Sequence, residues 1–347
     1  MKAIKTAVVG ASGYTGAELL RLLLMHPAAE LVCVTSRQYE GEPLEKVFPR
    51  FRGVQGSQLE FTAPSADTIA AAGAEVAFLA LPHGVAAEYA IALLEKGIRV
   101  IDLSADFRLN SAEVYEEFYG HPHPAPELLD EAVYGLPELK GRSEAIKSAK
   151  LVASPGCYPT SIITPLVPLL EKGLIDPASI VTCSMSGVSG AGKTGNVLFS
   201  YCEANESVRA YGVPKHRHLS EIEQELSIAA GQAVQISFTP HLVPAHNGIC
   251  TTTSATLTGD ADAIGAALEE AYGGSDFVRL LGKGQPADTK NVTRTNFLDI
   301  GWDYDPRTGR VLLLSAEDNL GKGAASQAVQ SMNLMFELSA TEGLQNI

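Results

Sequence analysis

Cys157 stands in the run Ser154-Pro155-Gly156-Cys157-Tyr158-Pro159-Thr160, a setting that suits a thiol prepared to attack a carbonyl. A free cysteine has a pKa of about 8.5 and is mostly protonated at neutral pH, so its surroundings must supply the activation. Gly156 lets the backbone come close to a ligand, and Pro159 suits the first position of a helix. The sulfur is then expected at a helix N-terminus, where the dipole favours a thiolate. The plain alternative is a small buried hydrophobe. Pro165 and Pro168 fall inside the expected helix and predict that it is kinked or short, which weakens the dipole argument.

Other groups with chemical capacity are spread along the chain. Gly10-Ala11-Ser12-Gly13-Tyr14-Thr15-Gly16 follows the apolar run Ile4 to Val9 and opens a helical pattern, as a turn presenting helix N–H groups to a dinucleotide pyrophosphate does. The next strand ends in Thr35-Ser36-Arg37, where an acidic residue would bind the ribose hydroxyl of NAD. Ser36 and Arg37 point instead to the ribose phosphate of NADP, unless Arg37 is a solvated surface charge. His216-Arg217-His218 runs into a helix start carrying Glu221. Either histidine could move a proton at a carbonyl oxygen, with Glu221 orienting it or meeting substrate; a basic surface patch is the other reading. Arg108 lies just past a strand's C-terminal end, where α/β sheets hold ligands, and could pair with a substrate anion or with Asp102 or Asp106. Gly187-Val188-Ser189-Gly190-Ala191-Gly192-Lys193-Thr194 fits the phosphate-loop pattern of NTPases in full. That loop needs a long helix from the lysine, and the residues beyond have weak helical periodicity. A glycine loop beside a nicotinamide or an acyl group accounts for the same residues better.

These groups require a scaffold, and the pattern of apolar runs predicts one. Up to about residue 150, strand-like runs (Ile4 to Val9, Leu31 to Thr35, Glu75 to Leu81, Arg99 to Leu103, Lys150 to Ala153) alternate with helical patterns such as Thr15 to Met25 and Gly84 to Lys96. This predicts an α/β fold with a doubly wound parallel sheet. From about Ile180 longer strands and hairpins take over, for example Asn296 to Tyr304 and Arg310 to Ala316, predicting a second, α+β domain. A last helix with apolar Ala324, Ala325, Ala328, Val329, Met332, Met335 and Phe336 on one face is expected to return to the first domain. The expected division is therefore residues 1–152 plus 318–347 for NADP binding, and 153–317 for a second, catalytic domain.

The bulk numbers narrow the classes. A net charge of -14 over 347 residues disfavours nucleic acid and anionic membrane surfaces as partners, and leaves anionic substrates dependent on local arginine or lysine. Five cysteines without a Cys-x-x-Cys pair suggest neither a disulfide framework nor a metal site. With no apolar run of membrane-span length and no cleavable leader pattern, the cytoplasm is the expected compartment.

Five motifs in order, the Gly10 to Gly16 turn, the Cys157 run, the Ser186 to Gly192 loop, His216-Arg217-His218 and Thr239-Pro240-His241-Leu242, resemble the N-acetyl-γ-glutamyl-phosphate reductase family of arginine biosynthesis. Asn319-Leu320-Gly321-Lys322-Gly323-Ala324-Ala325 adds that family's C-terminal return. The resemblance implies an NADP-dependent oxidoreductase that reduces an acyl phosphate through a Cys157 thioester. It implies proton transfer by His216 or His218, and substrate contacts at Arg108, Ser186 and Glu221. Cofactor contacts are implied at Gly10, Ser12, Gly13, Tyr14, Thr15, Gly16, Ser36, Arg37, Pro82, Gly187, Gly190, Asn319 and Gly323. A homo-oligomer, dimer or tetramer, is implied as well. The chain departs from the family at Asn247, where an arginine usually precedes the glycine of the Pro244-Ala245-His246-Asn247-Gly248 segment; His246 could replace its charge in part. Sister reductases acting on carrier-linked aminoadipyl phosphate or aspartyl phosphate, an NADP-binding regulator and an NTPase are the rival readings.

Overall fold

The computed structural model describes residues 2–193 and 195–345. It divides into two compact units. One comprises residues 1–137, 141–155 and 324–347, and the other residues 138–140 and 156–323.

The first unit carries β1 (Ile4–Val9), β2 (Ala29–Thr35), β3 (Phe61–Thr62), β4 (Val76–Leu79), β5 (Arg99–Asp102), β6 (Val133–Tyr134) and β7 (Leu151–Ala153). Between them lie α1 (Tyr14–Met25), α2 (Leu44–Val47), α3 (Ala66–Ala71), α4 (Ala86–Glu95), α5 (Ala112–Tyr119) and α6 (Arg142–Ser148). The strands form one parallel sheet in the order β3-β2-β1-β4-β5-β7-β6. Val76, Ala77, Phe78 and Leu79 are all buried, because helices cover both faces of such a sheet, and that is why its strands read as unbroken apolar runs. The order in which strands are added reverses between β1 and β4, and open α/β sheets bind ligands at the carboxyl ends of the strands flanking that point. The Gly10 turn ends β1, and Pro82 follows β4 by three residues. The closing helix Ser326–Met335 packs on α1, α6 and β5, as its apolar stripe predicts.

The second unit holds α7 (Cys157–Glu171), α8 (Tyr201–Ala204), α9 (His218–Ala230) and α10 (Ala263–Tyr272). Its strands are β8 (Val181–Ser186), β9 (Arg209–Ala210), β10 (Ser237–Leu242), β11 (Ile249–Thr256), β12 (Val278–Lys283), β13 (Leu298–Asp305) and β14 (Arg310–Glu317). They form a mixed sheet in the order β12-β13-β14-β11-β8-β10-β9. Alternate residues of β8, β10, β11 and β14 are buried, and α7 lies against β11 and β14.

The prolines do not shorten α7. It runs 15 residues with Pro165 and Pro168 inside it, and Tyr158 to Leu170 are all buried. Each proline deprives the carbonyl four residues earlier of its N–H donor, and an interior proline costs roughly 3 kcal/mol. Both carbonyls find a substitute in side-chain hydroxyls. Ser315 Oγ donates to the Ser161 carbonyl at 2.7 Å, and Tyr272 Oη donates to the Thr164 carbonyl at 2.7 Å. The helix therefore stays whole because the residues packed on it replace the bonds its own backbone lacks. Pro159 is its third residue rather than its first, still within the turn whose N–H groups have no intrahelical acceptor.

Candidate active site

Gly156 caps α7 without a side-chain hydrogen bond, which makes Cys157 the first helical residue. With α7 intact, the dipole again favours a thiolate there. The Gly156 N–H donates at 2.9 Å to Oε1 of buried Glu221, in the first turn of α9. Glu221 thus fixes the approach to the cysteine, and α7 and α9 pack together with Cys157 and His218 each opening its helix.

A cavity of about 560 Å³ lies over Cys157, lined by Tyr158, Ser186, Gly187, Gly190, Leu198, Phe199, Arg209, Tyr211, His216, Arg217, His218 and Leu242 among others. Its size suits a small-molecule substrate. Tyr158 and Tyr211 share a hydrogen bond at 2.7 Å between their hydroxyls, and burial pushes the Tyr211 phenol up to about 12. Both phenols stay neutral. The His216 ring sits edge-on to Tyr158, Tyr211 and Phe238, with centroids 5.5, 5.6 and 5.6 Å away. Its Nδ1 accepts the His218 backbone N–H at 3.1 Å, so the proton of the neutral ring resides on Nε2. Burial, helped by the Arg217 charge, lowers His216 to about 4. His216 is accordingly a neutral ring that holds the start of α9, and His218, whose ring centroid is 5.0 Å from it, opens the helix.

The segment behind Cys157 is tightly drawn. A Cβ on Gly323 would lie 2.8 Å from Cys157 Cβ and 3.0 Å from Glu317 Oε1. Glu317 is fully buried, and burial raises its carboxyl well above the usual range. Lys322 is buried with it, ion-paired to Glu138 at 2.6 Å.

The loop at Gly187 serves as a brace. Gly187, Val188 and Ser189 donate their N–H groups to the carbonyls of Gly248, Ala245 and His246 at 3.0, 2.9 and 3.1 Å. Asn319 links the same segments, donating from Nδ2 to Ser189 Oγ at 2.9 Å and accepting the Gly248 N–H at 2.8 Å. Gly190 lies beside Ser186 Oγ and Asn319 Nδ2. Asn247, at the family's arginine position, accepts from Ser189 Oγ at 3.0 Å and donates to both Asp318 carboxylate oxygens at 3.0 Å. It is a neutral strut rather than an anion site. After Gly187 the chain forms only a 3-10 segment, Val188–Ala191, with no helix starting at Lys193; Thr194 lies outside the described residues. Backbone N–H groups committed to carbonyls cannot cradle a phosphate, so the NTPase reading falls.

In the first unit the Gly10 turn is built otherwise. A Cβ on Gly10, whose φ is +80°, would meet the Ala80 carbonyl at 2.5 Å, and one on Gly16 would meet Ala11 Cα at 2.6 Å. Those two glycines serve close backbone packing. Gly13 caps α1 with no side-chain bond, and a Cβ there would find only the Gly10 carbonyl, 4.0 Å away. Its missing side chain therefore leaves open space at a helix start, which fits a pyrophosphate. Ser36 Oγ donates to Ser12 Oγ at 3.2 Å, and among the described residues exposed Arg37 forms no ion pair, which fits a ribose phosphate. Arg108 is buried, donating from Nε to the Ser154 carbonyl at 2.8 Å and from Nη2 to that of Leu103 at 2.9 Å. It steadies the strand-to-helix passage. Asp102 beside it, raised to about 7 by burial and by Asp106, accepts from Ser104.

Sequence reasoning missed Arg209 and Tyr211. The only sign of them was cationic and aromatic character just upstream of the histidines.

A nucleotide turn at a sheet's switch point, paired with a cysteine-opened helix in a mixed-sheet unit, is the architecture of a semialdehyde dehydrogenase. Residues 5–149 match the model for the semialdehyde dehydrogenase NAD binding domain, and residues 157–319 that for the semialdehyde dehydrogenase dimerisation domain. The structure is similar to that of aspartate semialdehyde dehydrogenase II from Vibrio cholerae, with a TM-score of 0.72 at 17% identity over 97% of this chain and 99% of that one. The chain is 64% identical to the N-acetyl-γ-glutamyl-phosphate reductase of Akkermansia muciniphila over 99% of both, and 51% identical to that of Geobacter metallireducens over 99% of both. It belongs to the N-acetyl-γ-glutamyl-phosphate reductase family, as the five motifs imply. Among the described residues no helix is long and apolar enough to cross a membrane, and no cluster of His, Cys, Asp and Glu could hold a metal ion.

Proposed function

We propose that this protein reduces N-acetyl-γ-glutamyl phosphate to N-acetylglutamate semialdehyde with NADPH, releasing phosphate, in arginine biosynthesis. The observation that carries the reading is Cys157 opening an unbroken 15-residue helix on the floor of a cavity that His218 also lines. In this reading His218 takes the thiol proton, and Sγ attacks the γ-acyl carbon. The acyl–oxygen bond breaks, the departing phosphate receives the proton from His218, and a thioester remains on Cys157. NADPH, when bound, supplies the hydride that reduces the acyl group. Collapse of the tetrahedral adduct on Sγ then frees the aldehyde and returns the thiolate. His218 is preferred to His216 in this reading because burial lowers His216 to about 4, which disfavours a proton there near neutral pH, while its Nδ1 bond to the His218 N–H orients His218. The Gly10 to Gly16 turn, Ser36, Arg37 and Pro82 are the residues assigned to hold the dinucleotide, with Arg37 selecting NADP over NAD.

A homo-oligomer, a dimer or tetramer formed through the second unit, is part of this reading. It is supported by the matched dimerisation model and by Val181 and Met185, 49% and 46% exposed on β8. A sedimentation mass of one chain would remove it. The five free cysteines support a reducing compartment, the cytoplasm.

The reverse reaction tests the chemistry. Given N-acetylglutamate semialdehyde, NADP and phosphate, wild type should form NADPH only when phosphate or arsenate is present. Cys157→Ala should lose about a thousandfold or more in kcat, as loss of a covalent nucleophile does. Phosphate-independent oxidation would indicate a hydrolytic aldehyde dehydrogenase, and preference for an aspartyl or carrier-linked substrate a sister reductase. Across pH in the same assay, His218→Asn should abolish the limb that reports the proton carrier, whereas His216→Asn should keep its shape at a lower rate.

A further inference from the structure

The cavity over Cys157 has the opposite charge to the molecule around it. The chain carries a net charge of -14, yet among the described residues the cavity lining contains two arginines, Arg209 and Arg217, and no aspartate or glutamate. A small cationic cleft in an acidic protein concentrates anionic ligands and repels neutral ones only through lost pairing, so its arginines select for charge. Arg217 is flanked by the two histidines, and its charge bears on His216. Arg209 is set apart from them on β9, paired in register with Leu242 of β10. Its guanidinium makes one hydrogen bond among the described residues, from Nη2 to the Leu198 carbonyl at 3.0 Å. That bond fixes the plane of a half-buried fork and leaves its other donors to the cavity.

Resting on the function proposed above, we infer that Arg209 is the specificity-determining residue of this site, pairing with the α-carboxylate of an N-acylated amino-acid substrate. Phosphate leaves from the acyl carbon at Cys157, beside His218 and the start of α7. The α-carboxylate lies at the other end of the substrate, and Arg209 lines the same cavity, on the strand that pairs with Leu242 and with its guanidinium bonded to the Leu198 carbonyl.

The test compares N-acetylglutamate semialdehyde with N-acetyl-γ-aminobutyraldehyde, which lacks only the carboxylate, in the NADP- and phosphate-dependent reaction. Wild type should prefer the carboxylated aldehyde by about a hundredfold or more in kcat/KM, and Arg209→Gln should bring that ratio to within about threefold. Arg209→Lys should keep an intermediate ratio, since it retains charge without the fork. An unchanged ratio with a raised KM for inorganic phosphate would move Arg209 to the phosphate and overturn the assignment. An equal loss on both aldehydes would overturn it in favour of a structural role. If wild type turns over neither aldehyde, the function proposed above fails. The assignment is then decided by calorimetric titration of wild type and Arg209→Gln with N-acetylglutamate and N-acetyl-γ-aminobutyrate. A preference for N-acetylglutamate that disappears in the variant upholds Arg209, and its absence from wild type refutes it.

Discussion

After β1 the chain makes a glycine-rich turn and enters a 12-residue helix; after β8 it makes another and enters a four-residue 3-10 segment. The second turn matches a well-known phosphate-binding pattern more fully than the first, yet its N–H groups are given to residues 245, 246 and 248. The first has an incomplete pattern, but Gly13 faces open space at an uncapped helix start. What separates a ligand turn from a structural one is where the backbone donors go and whether the glycine's missing side chain leaves a void or a contact. Spacing records neither.

Single added methyl groups probe this difference directly. The largest effect is expected at Gly187, where a Cβ would lie 2.5 Å from the His246 carbonyl oxygen and 2.9 Å from that of Ala245. Both are backbone atoms tied into the brace, so neither can step aside as a flexible side chain would. Gly187→Ala should lower unfolding free energy by about 3 kcal/mol, read by urea denaturation, and should reduce activity through the displaced cavity wall. A loss below about 0.5 kcal/mol would mean that the loop is free to move and that its glycines serve a ligand after all.

Much of the scaffold was legible because burial on both faces makes the strands of the parallel sheet continuous apolar runs, and β1 matches its expected span, Ile4 to Val9. Strands β3, β6 and β9 have two residues each, too few to carry a period. The continuity of α7 was not legible, since the hydroxyls that replace its missing bonds come from residues 154 and 108 positions further along the chain. The same limit hid the role of Asn247, whose partner Asp318 is 71 positions away. Cys157, His218 and Ser186 were readable as residue types in motifs, but Arg209 joins them only because β9 pairs with β10. Local chemistry is written in neighbouring residues, whereas satisfaction of backbone groups is settled by whatever packs against them.

Gly13→Ala is the counterpart in the first turn. Its Cβ would meet no protein atom closer than 4.0 Å, and its φ of -75° is open to any residue. Stability should change by no more than about 0.5 kcal/mol. The methyl would instead occupy the approach to the first-turn N–H groups of α1, so KM for NADP should rise about tenfold, close to 1.4 kcal/mol of binding, with kcat changed much less. Equal destabilisation by Gly13→Ala and Gly187→Ala would erase the contrast between the turns, and unchanged NADP affinity would take the pyrophosphate away from the Gly10 turn.

The smallest effect is expected at Lys193, the residue on which an NTPase would depend most. In a phosphate loop the lysine reaches the transferred phosphate and its loss abolishes turnover. Here, among the described residues, no helix begins at Lys193, and the backbone before it is bonded to protein carbonyls. Lys193→Ala should therefore alter the NADP- and phosphate-dependent rate by less than about twofold, since Lys193 is exposed and most exposed substitutions stay within about 0.5 kcal/mol. Neither protein should hydrolyse ATP with magnesium. Magnesium-dependent ATP hydrolysis by wild type that Lys193→Ala removes would return the second turn to the class its spacing suggests, and would require its N–H groups to exchange their present carbonyl partners for phosphate.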